Sequence, residues 1–299
     1  MHIGVAWKKI NMTEQLIDQK VNLWIRLGAV LLFLVFGAGI MLVFNPWNPM
    51  LELKADLLGR IALITILGLL SLTARKWQKV ESLWPLLSGL FIMAVAVSLT
   101  WITANYLIDH VGLSGKDPRG FALLKLNDLV VIGVTIIGLS RCLGFSFADL
   151  YLQMGKIKLG FIFGLGLFLV AAATAVPSGQ FLFKLDPAKL EGWQNWIGWL
   201  LLFVLANGFM EELLFRGLFL KKLEALLGEF FASLTIAVVF SALHFGVGYT
   251  SDQWMFQVIL LLLAMAFAAV MQKTRSLWPA ALFHAGMDIS VMLGIFSNL

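Results

Sequence analysis

The chain has 299 residues, of which 60% are hydrophobic and 13% are charged, and its mean hydropathy is +0.90. Soluble domains carry about 25% charged residues, and several apolar runs here exceed the roughly 18 residues that a membrane-spanning helix needs. The composition therefore excludes an ordinary soluble domain and predicts an all-α, polytopic helical membrane protein. The short alternating segments of a transmembrane barrel are not seen in the sequence.

The formal net charge of +5 does not indicate a nucleic-acid-binding protein, and we expect no nucleic-acid partner. Most of the basic residues fall in short loops between apolar runs, where they set the orientation of a membrane protein. Cys142 is the single cysteine, which excludes an intramolecular disulfide and a cysteine-based zinc site. We interpret Cys142 as a structural residue.

The apolar runs predict the membrane spans in chain order. The first run is too long for the core of a signal peptide and lacks a small-residue cleavage site, so we predict that it is retained. An NPWNP turn at 45–49 ends it, because proline does not continue a helix easily. The nine predicted spans are about 23–44, 57–73, 83–108, 128–143, 157–176, 193–210, 230–247, 254–271 and 277–296. The fourth is short and contains glycine, so eight spans is the alternative.

Basic residues are concentrated in alternate loops, and this pattern predicts the orientation. The segments expected in the cytoplasm contain Lys8, Lys9, Lys20 and Arg26, then Arg75, Lys76 and Lys79, Arg141, Lys156 and Lys158, Lys221 and Lys222, and Lys273 and Arg275. The intervening loops carry fewer or mixed charges, and the one at 112–119 fits the pattern least well. We predict that the N-terminus is cytoplasmic and the C-terminus lies outside.

A loop-like stretch at 177–192 contains proline, glycine and charge together, and it divides the predicted spans into two sets. Residues 1–192 are predicted to form N-terminal transmembrane helices of unassigned role. Residues 193–299 are predicted to form a second bundle, and all the unexpected polar residues lie in this part.

Two adjacent acids and an arginine lie inside the apolar stretch NGFMEELLFRGLFL at 207–220. A charge inside a membrane costs several kcal/mol, so such residues are rare and usually functional. Glu212 and Arg216 stand four positions apart, on one face of a helix, and we predict that they pair. Glu211 points elsewhere without this partner, so its presence in the apolar stretch needs an explanation.

Two histidines lie in or beside later predicted spans, each with a companion one turn away. His244 in VVFSALHFG follows Phe240, and His284 in WPAALFHAGMD precedes Asp288. A lone histidine in a helix is more often a satisfied core residue. Two histidines together with Glu211, each in a different span, favour a shared site.

The three groups are predicted to lie at similar depths in the membrane. Glu211 is ten positions before the basic Lys221, and His284 is nine positions after Arg275. With a rise of about 1.5 Å per residue, these separations give roughly 15 Å and 13 Å, and the position of His244 in its span gives roughly 20 Å. We therefore expect the three groups to converge inside the membrane, nearer its cytoplasmic half.

A glutamate and a histidine that face one water can act as general base and proton carrier, and a second histidine can donate hydrogen bonds to a developing oxyanion. This combination favours hydrolysis of a peptide bond without a covalent intermediate. Ser241 is the main serine nearby, and no serine–histidine–acid order is visible, which argues against a serine protease.

A metal is the competing use of the same residues, since two histidines and one glutamate form an ordinary zinc ligand set. The sequence has no HExxH motif, however, and Arg216 beside the glutamates would oppose a cation. We therefore predict a metal-free site without a cofactor, with zinc as the less favoured alternative.

Three motifs resemble those of the CPBP family, the CAAX prenyl endopeptidase and bacteriocin-processing intramembrane proteases, also called the abortive-infection family. They are EELLFR at 211–216, FSALH at 240–244 and HAGMD at 284–288, and they match the family motifs EExxxR, FxxxH and HxxxN or HxxxD in that order. TRSLWPAALFHA at 274–285 resembles the segment that leads into the last motif. The resemblance covers roughly 193–292.

The resemblance implies a role for each matching residue. Glu211 would activate the water with assistance from His244, and His284 with Asp288 would form the oxyanion side. Asp288 stands where the prenyl endopeptidases usually have asparagine, and an ionised aspartate cannot donate a hydrogen bond; it would serve the oxyanion only if protonated, and would otherwise orient His284.

The remaining family positions have supporting roles in this resemblance. Glu212 and Arg216 would orient the site, with contact between Arg216 and a substrate carboxylate as a second possibility, and Phe240 belongs to the same group of orienting or substrate-binding residues.

The leading hypothesis is an intramembrane endopeptidase that acts in the lipid bilayer on a peptide or a lipidated protein. A non-catalytic membrane protein, such as a bacteriocin-immunity factor or a partner scaffold, is the alternative from another class. A proton-coupled transporter is the third, since intramembrane acids and histidines also form proton relays. The sequence does not identify the substrate, its prenylation or the oligomeric state.

Overall fold

The computed structural model describes residues 22–46, 50–245, 250 and 252–299. All regular secondary structure in these residues is helical. We number the main helices α1 to α10 in chain order: Leu23–Val43, Leu53–Lys76, Glu81–Val111, Pro118–Cys142, Ile157–Ala173, Ala175–Phe183, Ile197–Leu227, Glu229–Ala242, Gln253–Thr274 and Trp278–Phe296.

Within the described residues, seven of these helices are long and apolar enough to cross a membrane: α1, α2, α3, α4, α7, α9 and α10. The bent pair α5 and α6 raises the number to eight if the two helices form one span. The protein is thus an all-α, integral, multi-pass membrane protein, as predicted. The count agrees better with the alternative of eight spans than with nine.

Helix α8 explains the difference from nine spans. The sequence predicts a span at about 230–247, but the helix is Glu229–Ala242, with 14 residues. At about 1.5 Å per residue this is roughly 21 Å, which is shorter than a hydrocarbon core of about 30 Å. His244 consequently lies in the turn that follows α8 and not within a helix.

Helices α5 and α6 form the bend, with an angle of 65° between them. Pro177 has no backbone N–H to donate to the carbonyl of Ala173, so the helical hydrogen bonding is interrupted at this point. The chain then continues as a helix to Phe183. The prediction of a loop at 177–192 was therefore wrong for residues 177–183.

Two other boundaries differ from the predictions. Helix α4 begins at Pro118, ten positions before the predicted start, so the fourth span is a full-length helix. Helix α7 does not end near Met210 but continues to Leu227, which puts Glu211 and Glu212 in its middle. Segment 1–21 and residues 47–49, with Lys8, Lys9, Lys20 and most of the predicted NPWNP turn, lie outside the described residues.

Helix α10 is the most enclosed of the C-terminal helices. It packs against α5, α6, α7 and α9, and about 61% of the residues in its apolar stretch are buried. Glycines make the closest approaches: a Cβ on Gly208 of α7 would lie 2.7 Å from the Ala281 carbonyl oxygen, and one on Gly286 would lie 2.9 Å from Phe168 Cα. Small residues of this kind let helix backbones approach closely in membranes. This packing holds α10 directly against the acidic part of α7.

Candidate active site

The middle of α7 carries the acidic pair at a change in helical hydrogen bonding. The helix is α-helical over Ile197–Glu211, π-helical over Glu212–Gly217 and α-helical again over Leu218–Leu227. Single π-helical turns inside helices are frequent at functional sites. The turn directs Glu212 and Arg216 into the protein interior, where both side chains are fully buried.

The predicted pairing of Glu212 with Arg216 is confirmed, and the structure adds a third member. Arg216 Nη1 donates to Glu212 Oε1 at 2.7 Å, and Arg216 Nη2 donates to the Ala264 carbonyl of α9 at 3.2 Å. His284 Nδ1 lies 2.8 Å from the same Glu212 oxygen. Because an ionised carboxylate only accepts hydrogen bonds, Nδ1 of His284 is the donor in this contact.

Two phenylalanines enclose this charged group. Phe267 of α9 stacks on the His284 ring, with centroids 4.7 Å apart and planes 9° apart. The Arg216 guanidinium carbon lies 4.7 Å from the Phe240 ring centroid and 5.4 Å from that of Phe267. Cation–π contacts strengthen when the cation is desolvated. The two rings therefore stabilise Arg216 and fix the plane of the His284 imidazole.

The other ring nitrogen of His284 faces two further carboxylates. Nε2 lies 3.6 Å from Glu211 Oε2 and 3.5 Å from Asp288 Oδ1. These separations are longer than an ordinary hydrogen bond. Glu211 Oε2 is buried and has no hydrogen-bond partner among the described residues. Glu211 is thus separate from the Arg216 pair, as expected from the helical spacing, and it lies close to His284.

Asn207 belongs to this cluster, and the sequence reasoning missed it. Its Nδ2 donates to Asp288 Oδ2 at 2.9 Å, and it lies one turn before Glu211 on α7. The signal was present in the sequence, since an asparagine inside an apolar run is itself unexpected.

One cavity of about 640 Å³ is lined by Glu211, His244, His284 and Asp288 together with Phe240. The three predicted groups therefore do converge on one space within the bundle. Most of the remaining wall is apolar, and helices outside the C-terminal part contribute Met41, Leu42, Phe121, Lys125, Leu182 and Phe183. Glu212 and Arg216 do not line the cavity, so in this structure they lie behind its wall.

His244 reaches the cavity from the end of α8. Its Nδ1 lies 2.8 Å from the Phe240 carbonyl oxygen, and its ring centroid lies 4.8 Å from that of Phe240. In the described part of the chain no hydrogen bond joins the His244 ring to Glu211 or His284. The structure therefore places His244 in the same cavity but not in direct contact with the other two groups.

The next feature is the arrangement of the side chains that could bind a metal ion. Among the residues that the structure describes, no group of three or more His, Cys, Asp or Glu side chains is arranged to hold a metal ion. Nδ1 of His284 is engaged by Glu212, which leaves one nitrogen of this ring for any ligand. The metal-free site stays a prediction.

Buried charges are also present in the N-terminal part, where the sequence reasoning expected none. Arg60 Nε donates to Asp56 Oδ2 at 2.7 Å within α2, and Lys125 Nζ lies 3.4 Å from Asp128 Oδ2 within α4. The second pair was overlooked because the fourth span was predicted to begin at Asp128, which left Lys125 in a loop. Of these four side chains, Lys125 lines the cavity that contains Glu211.

Fold and site together define an integral multi-pass membrane protein with an acid–histidine cluster facing an internal cavity. Comparison with protein families then identifies the C-terminal part: residues 193–290 match the family model described as type II CAAX prenyl endopeptidase Rce1-like. This part of the chain is similar to that family, in agreement with the three motifs. Comparisons with curated proteins and with solved structures find no match, and none of the comparisons points to bacteriocin immunity.

Proposed function

We propose that the protein is an intramembrane endopeptidase in which Glu211 activates a water for attack on a peptide bond. The observation that supports this most is the position of Glu211: a carboxylate on the wall of a membrane-embedded cavity, 3.6 Å from His284 Nε2 and inside the segment that matches an endopeptidase family. A general base must lie close to the water that it deprotonates, and the cavity gives a substrate access to this carboxylate.

The reaction assigned to the site begins with Glu211 taking a proton from water while the hydroxide adds to the scissile carbonyl carbon. The carbonyl oxygen becomes an oxyanion, which preorganised donors stabilise. In its protonated form His284 donates from Nδ1 to Glu212 and presents an Nε2–H to the cavity. Collapse of the intermediate breaks the C–N bond. The leaving amine takes the proton that Glu211 removed from water, either directly from Glu211 or by way of His244.

The buried residues behind the cavity wall hold this geometry. Glu212 fixes His284 through Nδ1, and Arg216 fixes Glu212. Complete burial of Arg216 favours a positioning role over contact with a substrate carboxylate. Asp288, which accepts from Asn207 and lies beside His284, fits the orientation of the imidazole better than donation to an oxyanion.

The substrate assigned to this site is a peptide or lipidated protein that enters from the bilayer. The cavity wall is mostly apolar, which suits hydrophobic side chains or an attached lipid chain. The proposal requires no metal, and it predicts that activity survives incubation with a chelator that strips zinc. Loss of activity on chelation, restored by zinc, would favour the metal alternative.

The experiment compares membrane peptides from cells that contain wild type, Glu211→Gln, His244→Ala or Glu81→Gln. Glu81 is exposed and outside the cavity, so its variant is the matched control. Removal of a general base typically costs about 10²- to 10⁴-fold in rate, and we expect peptides that appear only with wild type and Glu81→Gln. The proposal would be overturned if Glu211→Gln and His244→Ala both cleaved as much as wild type does. If wild type itself cleaves nothing, the non-catalytic alternative is favoured.

A further inference from the structure

The cavity contains a basic side chain from outside the segment that matches the endopeptidase family. Lys125 lies in α4 and lines the cavity with Glu211 and Asp288. Among the described lining residues it is the one lysine or arginine. The resemblance and the family match begin at residue 193, so neither assigns a role to this side chain.

The position of Lys125 relative to Glu211 can be read along α7. Lys125 Nζ lies 5.5 Å from the ring centroid of Phe203. Phe203, Asn207 and Glu211 follow one another at intervals of four residues and all line the cavity. Eight helical residues correspond to roughly 12 Å at 1.5 Å per residue. The position on α7 that Lys125 contacts therefore lies two helical turns from the proposed base.

The interior location of Lys125 needs an explanation, because a charge within a membrane span is costly and by default suggests a function. Asp128 forms an ion pair with it, at 3.4 Å and with side-chain exposures of 11% for Lys125 and 1% for Asp128. Asp128 is not part of the cavity wall, whereas Lys125 is. The ammonium group thus belongs to an ion pair at the cavity wall, whose carboxylate partner is buried outside the cavity.

The end of the cavity around Glu211 is less favourable to a substrate carboxylate than the surroundings of Lys125. Its ionisable wall residues besides Lys125 are Glu211, Asp288 and the two histidines, so negative charge is concentrated around the proposed base. A substrate carboxylate would be repelled from this end and attracted to Lys125. The charge distribution orients a peptide along the wall.

We propose that Lys125 is a specificity-determining residue that binds a carboxylate of the peptide substrate. An extended chain advances about 3.3 Å per residue, so the roughly 12 Å from Phe203 to Glu211 along α7 corresponds to three or four residues of an extended substrate. The carboxylate is either the chain terminus or an acidic side chain. This inference rests on the proposed endopeptidase function and adds the class of substrate to it.

The experiment uses the purified full-length protein and a peptide that wild type cleaves in the membrane comparison described above. The peptide is synthesised in three forms: with a free carboxyl terminus, with an amidated terminus, and with acidic side chains near the cleavage site replaced by their amides. The variants are Lys125→Met, which keeps the length of the apolar stem, and the control Lys116→Met, whose lysine is exposed in the loop before α4.

We expect Lys125→Met to raise KM roughly tenfold for the carboxylate-bearing peptide, as for the loss of one hydrogen-bonded charge, with a smaller change in kcat. The neutral form should be cleaved equally by both proteins, and Lys116→Met should behave as wild type. The form whose neutralisation abolishes the difference identifies the terminus or the side chain. If Lys125→Met does not fold, the double variant Lys125→Met/Asp128→Asn removes both charges and should show the same change in KM.

Equal KM values for wild type and the Lys125 variants would overturn this assignment, as would a wild type that cleaves all three forms equally. Glu211→Gln separates the two proposals. If Glu211→Gln is inactive and Lys125→Met discriminates between the carboxylate-bearing and neutral peptides as wild type does, only the inference about the carboxylate fails. If Glu211→Gln stays active, the proposed function fails.

Discussion

Glu212 and Arg216 show which part of the candidate site depends only on local sequence. Two residues four positions apart lie on one helix face, so their ion pair could be predicted without any tertiary information. The third member, His284, comes from α10 and joins them through Nδ1. The sequence placed it at a similar depth, but which carboxylate it binds depends on the rotation of α10 against α7.

Glu212→Gln should destabilise the protein strongly, because it leaves the fully buried guanidinium of Arg216 without its carboxylate. Breaking a buried ion pair by removing one partner costs about 3–5 kcal/mol. Thermal unfolding in detergent measures the effect. Glu211→Gln is the internal comparison: its Oε2 has no hydrogen-bond partner in the described structure, so this variant should unfold close to wild type. Equal unfolding temperatures for the two variants would contradict the structural role of Glu212.

At the scale of helices, α7 and α10 meet at Gly208, three positions before Glu211. A Cβ at this position would lie 2.7 Å from the Ala281 carbonyl oxygen and 2.8 Å from the Ala285 amide nitrogen. Both neighbours are backbone atoms, so the two helices would have to separate. The distance between Glu211 and His284 therefore depends on a residue that takes no part in the chemistry.

Gly208→Ala should lower kcat by roughly 100-fold, since a displacement of about 1 Å at a reacting group has an effect of this size. The control is Gly198→Ala on the same helix, where an added Cβ has nothing within 4 Å and activity should be retained. Peptide cleavage by the two purified variants gives the comparison. Similar activity in both would show that close contact at Gly208 does not position the site.

The errors in helix boundaries have physical causes. Window hydropathy placed the start of α4 at Asp128, because Lys125 and Asp128 lower the local average although they neutralise each other as an ion pair. Acidic residues in the middle of α7 ended the predicted span at Met210 for the same reason. Charges that are compensated by an ion pair within the same helix therefore shorten predicted spans, here in α4 and α7, which both line the cavity.

For the whole molecule, dividing the chain at residue 192 separates the part that carries the sequence motifs from the part that does not. The cavity does not follow this division, because residues on both sides of it form the wall. Helix α4 packs along α7, and Phe121 and Lys125 of α4 form part of the same wall as Glu211. Contacts between distant segments carry no signal in a single sequence. The contribution of the N-terminal helices to the candidate site could therefore not be predicted, although their presence in the membrane could.

The orientation of the whole molecule can be tested with its single cysteine. Cys142 is exposed as the last residue of α4, next to Arg141. The loop that follows is assigned to the cytoplasm by the basic residues Lys156 and Lys158. A membrane-impermeant maleimide should label it in inside-out vesicles and not in right-side-out vesicles. Cys142→Ser should abolish labelling in both. Labelling in right-side-out vesicles only would reverse the predicted topology.

The early end of α8 has a consequence for proton transfer. The last carbonyls of a helix lack backbone partners, and this is unfavourable in the low-dielectric interior of a membrane. His244 supplies such a partner, because its Nδ1 lies 2.8 Å from the Phe240 carbonyl, which accepts only. Capping thus selects the Nδ1–H tautomer, and a neutral His244 keeps a lone pair on Nε2. The requirement to satisfy a helix terminus in lipid therefore also sets which nitrogen can receive a proton.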